Sequence, residues 1–452
     1  MPDAVYQVMT MLCALVAPLP IGTNLGLLHL LWMLVSGRLL DARGAVFPAL
    51  GECGLGAAAS RRAWTALGQG EWASADLLAR WARALRAAGR WQPRAHGGYR
   101  PVAVDLTGFW RPRLRGCPTT HYHGAAGRAL PAIPLGIVAR IGAVGAQRLA
   151  LPLAFVRADA ADPAPGARAQ RLVREAVARC AADDALVLDA GFGLALLQEA
   201  GAARYVVRLA MNGTARRAAP PPYPGRGRPA TRGPLVRPLP RTYRGRVILA
   251  TPPDRAETWR EDGHLLRAEV WAELVLPEGD AASPRFTIVA VHDPRHREPL
   301  LLATPLALPA RAVRDLYRDR WPVEQLPLAA KQMLGAARQF VSAPETCQRL
   351  PELALLAGAV LSYVAATAPA IPTGFWDRHP RPTPGRLRRL LARTPFPHDF
   401  PLPARIRAKA AVTAHLPKGF WGQRQRPASM PPAAGAPDTL PGLAPAARLT
   451  GN

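Results

Sequence analysis

The amino-acid sequence predicts an α/β protein: a mixed sheet flanked by helices, interrupted by a β-rich insertion and preceded by a helical region. Three patterns indicate this class. Apolar residues recur at three- and four-residue spacing through residues 1–95, strand and helix patterns alternate through residues 96–204, and strand patterns dominate residues 205–304. Alternating strands and helices favour a sheet in which at least some strands run parallel.

Within the alternating segment, two strands end on a carboxylate. In chain order the predicted elements are a strand at 99–105, a further strand at 133–144, an amphipathic helix at 167–180, a strand at 185–189, a helix at 194–201 and a strand at 204–211. The first strand ends on Asp105 and the strand at 185–189 ends on Asp189.

The insertion, residues 205–304, opens with a basic loop. This loop, residues 212–245, carries eight arginines, and no Asp or Glu occurs between Glu199 and Asp254. A loop of this kind can follow phosphate groups or serve as a solvated linker, and both interpretations stay open. Four strand patterns follow it, at 246–251, 265–276, 285–292 and 299–304.

The C-terminal part of the chain returns to helical patterns. Residues 305–370 predict the second part of the core, and residues 371–452 predict a basic, Pro-rich and partly ordered tail. The apolar stretch 352–370 approaches the length of a membrane span. We interpret it as a buried core helix, because no second span accompanies it, and we expect no membrane association.

The charge balance points to a polyanionic partner. The chain of 452 residues has 58 Lys and Arg against 31 Asp and Glu, a net charge of +27. Self-repulsion at this charge opposes folding, so nucleic acid or an anionic membrane surface is the usual explanation. Only three of the basic residues are lysines, which indicates that codon bias accounts for part of the excess.

The five cysteines predict neither a zinc ribbon nor a disulfide framework. They are widely separated, and no C-x-x-C pair occurs. The N-terminus also lacks the basic segment of a secretory signal. We therefore expect a reducing, cytoplasmic location.

The two strand-end aspartates are candidates for a metal site. Catalytic groups gather at the carboxyl ends of the strands in open α/β sheets, and Asp105 and Asp189 would meet there. Two carboxylates at close range repel each other unless cations lie between them, and paired carboxylates that hold two Mg²⁺ ions form a phosphoryl-transfer site. Taken singly, each aspartate is more simply explained as a turn residue.

A third candidate element is the segment 317–335. Tyr317, Arg320, Glu324 and Lys331 are spaced as Y-x₂-R-x₃-E-x₆-K, which would place all four side chains on one face of a helix. Such a face can bind metal through its glutamate and phosphate oxygens through its arginine and lysine. An ordinary solvated ion-pair face explains the spacing equally well.

At this point the sequence resembles a known family. The segment YRDRWPVEQLPLAAKQMLG resembles the YREK signature of bacterial insertion-sequence transposases with a DDE catalytic triad. VAVDLTGFW is similar to the first-aspartate strand of that family, and LVLDAGFG to the second, where a Gly-Phe pair follows the aspartate. RYVVRL resembles the next strand, and the β-rich stretch before Glu324 resembles the family's insertion subdomain. The resemblance covers about residues 100–340.

The resemblance implies a fold, a reaction and a set of site residues. It implies an RNase H-like core, with Asp105, Asp189 and Glu324 as catalytic residues that bind two Mg²⁺ or Mn²⁺ ions. The implied reaction is cleavage at transposon ends followed by strand transfer into target DNA. Tyr317, Arg320 and Lys331 would hold DNA phosphates.

The same resemblance implies partners and a location. The DNA partners would be the terminal inverted repeats of the element and the target DNA, and the protein would act at least as a dimer. By position and helical character, residues 1–95 are expected to bind DNA. The implied location is the bacterial cytoplasm, at the nucleoid.

Two alternatives remain at this stage. One is an inactive or domesticated DNA-binding relative, and the other is an RNase H-like endonuclease without strand transfer. Trp259 and Trp271 lie in the insertion, where the family uses a tryptophan to stack on a flipped base, but core packing is the preferred interpretation. His121 and His123 are expected at the surface rather than as metal ligands.

Overall fold

In a computed structural model that describes residues 2–115, 117–158 and 164–409, the chain begins with a group of helices, as predicted. These are α1 (Asp3–Val16), α2 (Thr23–Val35), α3 (Arg38–Asp41), α4 (Val46–Glu52), α5 (Ala57–Gln69) and α6 (Ser74–Ala88). Every residue from Gly26 to Val35 on α2 is buried. A helix that is apolar on all sides is stable only inside a protein, so α2 forms the centre of this group.

The next part of the chain forms a mixed sheet, which confirms the predicted class. Its elements are β1 (Gln92–Pro93), β2 (Arg100–Trp110), β3 (Thr120–His123), β4 (Arg128–Val144), β5 (Gln147–Arg157), α7 (Pro165–Val177), β6 (Asp184–Leu188), α8 (Leu194–Glu199) and β7 (Tyr205–Arg208). Strands β2, β4 and β5 pair antiparallel in succession. Strands β6 and β7 run parallel to β2, so the order across the sheet is β5-β4-β2-β6-β7.

The β-rich stretch extends this sheet. Its strands are β8 (Ala215–Arg217), β9 (Leu235–Val236), β10 (Arg241–Tyr243), β11 (Arg246–Ile248), β12 (Arg255–Glu261), β13 (His264–Val275), β14 (Phe286–His292) and β15 (Leu300–Thr304). Strand β15 pairs antiparallel with β7, and β14 and β13 continue outward from it. The strand predicted at 246–251 is shorter than expected, because β11 pairs with β10 in a separate hairpin.

The C-terminal helices complete the core. They are α9 (Ala310–Arg318), α10 (Trp321–Leu328), a π-helical turn (Ala329–Met333), α11 (Pro344–Thr367) and α12 (Pro384–Ala392). Beyond α12, Phe396, Phe400 and Ile406 are buried in the main core. Residues 410–452 of the predicted tail lie outside the described residues.

Helix α11 is the one helix of the described segments that is long and apolar enough to cross a membrane. In its most apolar window, 83% of the residues are buried inside the protein. It packs with the N-terminal helices and with one face of the sheet. This burial is typical of the core helix of a soluble protein and agrees with the predicted core helix at 352–370.

Alternation along β2 separates the two faces of the sheet. Ala103 contacts the core that contains α11, whereas Val102 and Val104 contact the core that contains α7 and α8. Side chains two residues apart on a strand lie on the same face. Asp105 therefore lies on the same side of the sheet as Ala103, towards the C-terminal helices.

The prediction that Asp105 ends its strand is wrong. Strand β2 continues to Trp110, because residues 106–110 keep their antiparallel pairing with β4. The parallel neighbour β6 does end at Leu188, directly before Asp189, as predicted. Asp105 thus lies in the middle of β2, at the level where its parallel neighbour stops.

Candidate active site

One candidate aspartate lies on β2, and the other directly follows its parallel neighbour β6. The register of β2 and β6 joins Ala103 to Val187, and each aspartate is two residues further along its own chain. Continued by two residues, this register places Asp105 opposite Asp189. The two aspartates therefore lie at the same level of the sheet, although only Asp189 follows the end of a strand.

Tyr317 and Arg320 connect Asp189 to Glu324. The Tyr317 hydroxyl donates a hydrogen bond to Asp189 Oδ1 at 3.3 Å. The Arg320 guanidinium lies 5.7 Å from the centre of the Tyr317 ring and forms an ion pair with Glu324 through Nη2. Arg320 is 7% exposed, and its Nε is buried without a hydrogen-bond acceptor. One buried arginine therefore stands between the carboxylates that the sequence assigned to one site.

Lys331 lies next to β2, close to Asp105. Its Nζ donates to Thr107 Oγ1 at 2.6 Å and lies 4.7 Å from the Trp110 ring centre and 5.3 Å from that of Phe109. Burial lowers the pKa of Lys331 to about 8, although the negative charge of Asp105 opposes this change. The ammonium group is thus partly desolvated and close to Asp105.

The surroundings of Asp105 change the pKa of its carboxyl group. Burial raises its pKa above the usual value, and Glu324 raises it further, while Arg320 and Lys331 act in the opposite direction. Arg320, Glu324 and Lys331 are therefore close enough to influence the ionisation of Asp105. Asp105 is thus a neighbour of Arg320, Glu324 and Lys331, and Tyr317 connects Asp189 to Arg320.

The prediction that the four signature residues share one helix is wrong. Tyr317 lies near the end of α9, Arg320 precedes α10, Glu324 lies on α10, and Lys331 lies on the π-helical turn. The chain breaks because Pro322 has no N–H to donate to the carbonyl of Arg318. The side chains converge because two short helices and a π-turn are folded against β2.

A side chain from the sheet stabilises this break. The free carbonyl oxygen of Arg318 accepts a hydrogen bond from Arg148 Nη1 at 2.8 Å instead. Further along, Pro327 removes another helical hydrogen bond, and the π-helical turn begins two residues later, at Ala329. The break is therefore a fixed feature of the fold.

Asp319 is a site-supporting residue that the sequence reasoning missed. Its side chain is 1% exposed and accepts hydrogen bonds from Arg94 Nε at 2.6 Å and from Arg148 Nη1 at 3.3 Å. His96 Nε2 lies 2.7 Å from the same carboxylate. Burial raises its pKa, but the hydrogen bonds from His96 and Arg94 outweigh that effect and lower the pKa overall. A carboxylate between two arginines looks like a surface ion pair in the sequence, so only the fold shows its burial.

The two tryptophans of the insertion have structural positions. Trp271 is fully buried, and its Nε1 donates to the carbonyl oxygens of Thr251 and Pro252, both at 3.0 Å. Trp259 is partly buried against the core that contains α9. These contacts agree with the core interpretation of both residues.

The two histidines of β3 differ from the expected surface position. His121 is half-buried against Gly108, and burial lowers its pKa to about 4, with Lys331 and Arg168 contributing. His123 Nδ1 accepts a hydrogen bond from the backbone N–H of Ala126. His121 therefore lies at the edge of the candidate site as a neutral side chain.

The donor atoms of the site suit a divalent cation. Carboxylate oxygens are the ligands that Mg²⁺ and Mn²⁺ prefer, and a cation would offset the part of the burial of Asp105 that Arg320 and Lys331 leave uncompensated. Arg320 pairs with Glu324. In the described part of the chain, no three His, Cys, Asp or Glu side chains are grouped closely enough to hold an ion. The Arg320–Glu324 pair thus uses an oxygen atom that a metal ion would need.

Neither a scan against protein-family models nor a search of curated proteins gave a match for this chain. Any functional assignment therefore depends on the sequence resemblance and on the geometry of the site.

Proposed function

We propose that this protein is a DDE transposase of a bacterial insertion sequence. The observation that carries the proposal is the convergence of residues from three separate parts of the chain. Asp105 lies on β2, Asp189 follows β6, and the segment from Tyr317 to Lys331 folds against both. Residues so distant in sequence meet at one point and match the order and spacing of the family's signature.

The strand arrangement supports an RNase H-like core. Three strands, β2, β4 and β5, form an antiparallel meander, and β6 and β7 then add parallel to β2 on its other side. This is the arrangement expected of an RNase H-like sheet, with one carboxylate on its first strand and another after its fourth. The insertion then separates the second carboxylate from Glu324, as in the family that the sequence resembles.

Each side chain of the site has a role in the proposed reaction. Asp105, Asp189 and Glu324 would hold the two divalent ions. When bound, these ions would activate the attacking hydroxyl and stabilise the leaving oxygen of a DNA phosphodiester. Tyr317 orients Asp189 through its hydroxyl. Lys331 presents a partly desolvated ammonium, which is a strong partner for a phosphate oxygen.

Arg320 has a double role in this proposal. Its pair with Glu324 neutralises one carboxylate while no phosphate is present. Its Nε is a buried donor without an acceptor, and an unmet donor of this kind is costly unless a ligand satisfies it. A phosphate oxygen of the DNA end would meet that requirement.

The experiment that tests the function is a cleavage and joining assay on labelled duplex that carries the element's terminal repeats, with Mg²⁺ or Mn²⁺ present. Wild type is expected to give joined products. Asp189→Asn is expected to bind the same duplex and to lose cleavage by at least about a thousandfold, since a ligand of the metal centre is removed.

The matched control is Asp183→Asn, whose side chain is 50% exposed and lies six residues before Asp189. It should retain full activity. Cleavage without joining would indicate an endonuclease, and DNA binding without chemistry under either ion would indicate an inactive relative. Failure to bind any duplex would refute the proposal.

We further propose that the protein works at the nucleoid in the bacterial cytoplasm, at least as a dimer on DNA. The net charge of +27 supports a DNA partner. Sedimentation of the protein with and without terminal-repeat DNA tests the dimer directly.

A further inference from the structure

Within the basic loop and the strands after it, β10 and β11 form a hairpin that stands apart from the main sheet. The two strands pair with each other, with Arg241 opposite Ile248 and Tyr243 opposite Arg246, and among the described strands they have no other partner. Arg244 and Gly245 form the turn, with φ of +48° and +73°. Two successive positive φ values are typical of the tight two-residue turn whose twist matches that of a hairpin. Arg244 is therefore held at the tip.

The base of this hairpin is fixed to the core. The backbone N–H of Arg237 donates to Thr251 Oγ1 at 2.9 Å, and the N–H of Thr251 donates back to the Arg237 carbonyl at 2.7 Å. The carbonyl of Thr251 also accepts the indole N–H of the fully buried Trp271. The hairpin thus projects from a defined anchor.

The surface of the hairpin combines free positive charge with exposed apolar side chains. Arg241, Arg244 and Arg246 are exposed, and no ion pair of the described residues includes any of them. Val247 is 69% exposed and Tyr243 is 55% exposed. Arg244 stacks over the Tyr243 ring at 5.3 Å. The nearest acidic residues in sequence are Glu199 and Asp254, so nothing nearby along the chain neutralises the arginines.

This combination of side chains distinguishes a binding surface from a solvated linker. A linker gains nothing from exposed Val247 or from Leu249, which is 77% exposed. Nucleic acid uses both features, since arginines bind phosphates and base edges while apolar and aromatic groups contact sugars and bases. The major groove of duplex DNA is also wide enough to admit a two-stranded β-ribbon.

We propose that the hairpin Arg241–Ile248 binds duplex DNA as a ribbon that lies in a groove, with Arg244 at its leading end. The choice of DNA as the partner rests on the proposed function, whereas the shape, charge and exposure of the hairpin do not. The hairpin lies outside the carboxylate site, so its removal is expected to weaken binding without disturbing the catalytic side chains.

The test measures the salt dependence of binding to a fluorescent duplex. The full chain is compared with the triple variant R241Q/R244Q/R246Q between 50 and 300 mM KCl. If the three arginines each contact a phosphate, the slope of log K against log[salt] becomes shallower by about 2.7, at about 0.9 per contact. The melting temperature should be unchanged, because none of the three side chains is buried.

A control variant separates a specific contact from the loss of net charge. R174Q/R267Q/R285Q removes three exposed arginines outside the hairpin, two of them 58% and 57% exposed in their side chains. In this control, the slope of log K against log[salt] should stay within about 1 of the wild-type slope. Equal losses in both triple variants would overturn the hairpin proposal and leave DNA binding, and with it the proposed function, intact.

Two further outcomes also decide the matter. A wild type that binds no duplex would refute both the proposed function and the DNA partner of the hairpin. A slope change seen on single-stranded RNA, with none on duplex DNA, would overturn the groove contact and assign the hairpin a different nucleic acid.

In a separate variant, Tyr243→Ala should weaken duplex binding about threefold or more while the salt slope stays constant, because its contact carries no charge.

Discussion

Arg148 on β5 donates through Nη1 to the carbonyl oxygen of Arg318, at 2.8 Å, and to the carboxylate of Asp319, at 3.3 Å. It therefore fills the position that the backbone N–H of residue 322 would take in an unbroken helix. This side chain helps to anchor the break between α9 and α10 to the sheet. Because Tyr317 and Arg320 lie on either side of the break, its geometry sets where both point.

Asp319→Asn is predicted to destabilise the fold by about 1–3 kcal/mol, since it weakens the hydrogen bonds of a buried carboxylate whose arginine partners are about one third exposed. Asp319 is 1% exposed in its side chain and is shared by Arg94, His96 and Arg148. Urea unfolding at neutral pH measures the loss. Glu175→Gln, which removes an exposed i,i+4 pair with Arg179, should cost less than about 1 kcal/mol. Similar losses in both variants would refute the supporting role of Asp319.

The fold class could be predicted because the central strands are apolar runs. Residues 185–189 and 204–211 have too few polar residues for surface strands, and a helix pattern separates them. The continuation of β2 to Trp110 could not be predicted, because its pairing with β4 decides it. Nor could the addition of β15 to β7, since strand partners this far apart in the chain leave no local pattern.

The site was partly predictable for a related reason. The spacing of the four signature residues, Tyr317 to Lys331, can be read directly from the sequence, because all four lie within one short segment. The way in which these side chains converge depends on the helix break at Pro322 and on the hydrogen bond from Arg148 to the Arg318 carbonyl. Only the folded chain shows that hydrogen bond, because Arg148 is distant in sequence. Thr107 and Asp319 were missed because their partners lie far away in sequence.

Binding of DNA is predicted to weaken as pH rises from 7 to 9. Burial lowers the pKa of Lys331 to about 8, so its positive charge is present below that pH and is lost above it. Loss of one charge-assisted hydrogen bond, about 1.4 kcal/mol, reduces affinity about tenfold. Fluorescence anisotropy at constant ionic strength measures the change. Lys331→Arg keeps its charge throughout this range and should remove the pH dependence. If affinity in that variant still falls with pH as it does in wild type, Lys331 is not the group that causes the change.

Low pH is predicted to remove the contribution that Glu261 makes to the free energy of unfolding. Hydrogen bonds from Arg314, and the charges of Arg314 and Arg318, lower the pKa of Glu261 to about 2, against an ordinary value of 4.5. A lowered carboxyl pKa stabilises the fold fully above pH 4.5, and that contribution is lost as pH falls towards 2. The difference in unfolding free energy between wild type and Glu261→Gln should therefore be largest at pH 7 and shrink below pH 4.5.

Urea titrations at pH 7, 4.5 and 3 test the Glu261 prediction. Glu273→Gln is the control, because Glu273 is 65% exposed in its side chain and pairs with the exposed Arg285. Its effect should stay below about 1 kcal/mol at pH 7. If the loss of unfolding free energy in Glu261→Gln does not depend on pH, the ion pairs of Glu261 with α9 do not cause the pH dependence of stability.

Gly335→Ala is predicted to be more destabilising than Gly89→Ala, although both glycines have positive φ. Gly335, at +84°, would place a Cβ 2.5 Å from the backbone nitrogen of Leu40, whereas Gly89, at +68°, has no atom within 4 Å of the added carbon. Backbone strain alone costs about 1–2 kcal/mol, and overpacking adds about 1–3 kcal/mol. Thermal and urea unfolding of both variants measure the difference. Equal losses would mean that strain alone makes glycine necessary after the π-turn, and that close packing against α3 contributes nothing.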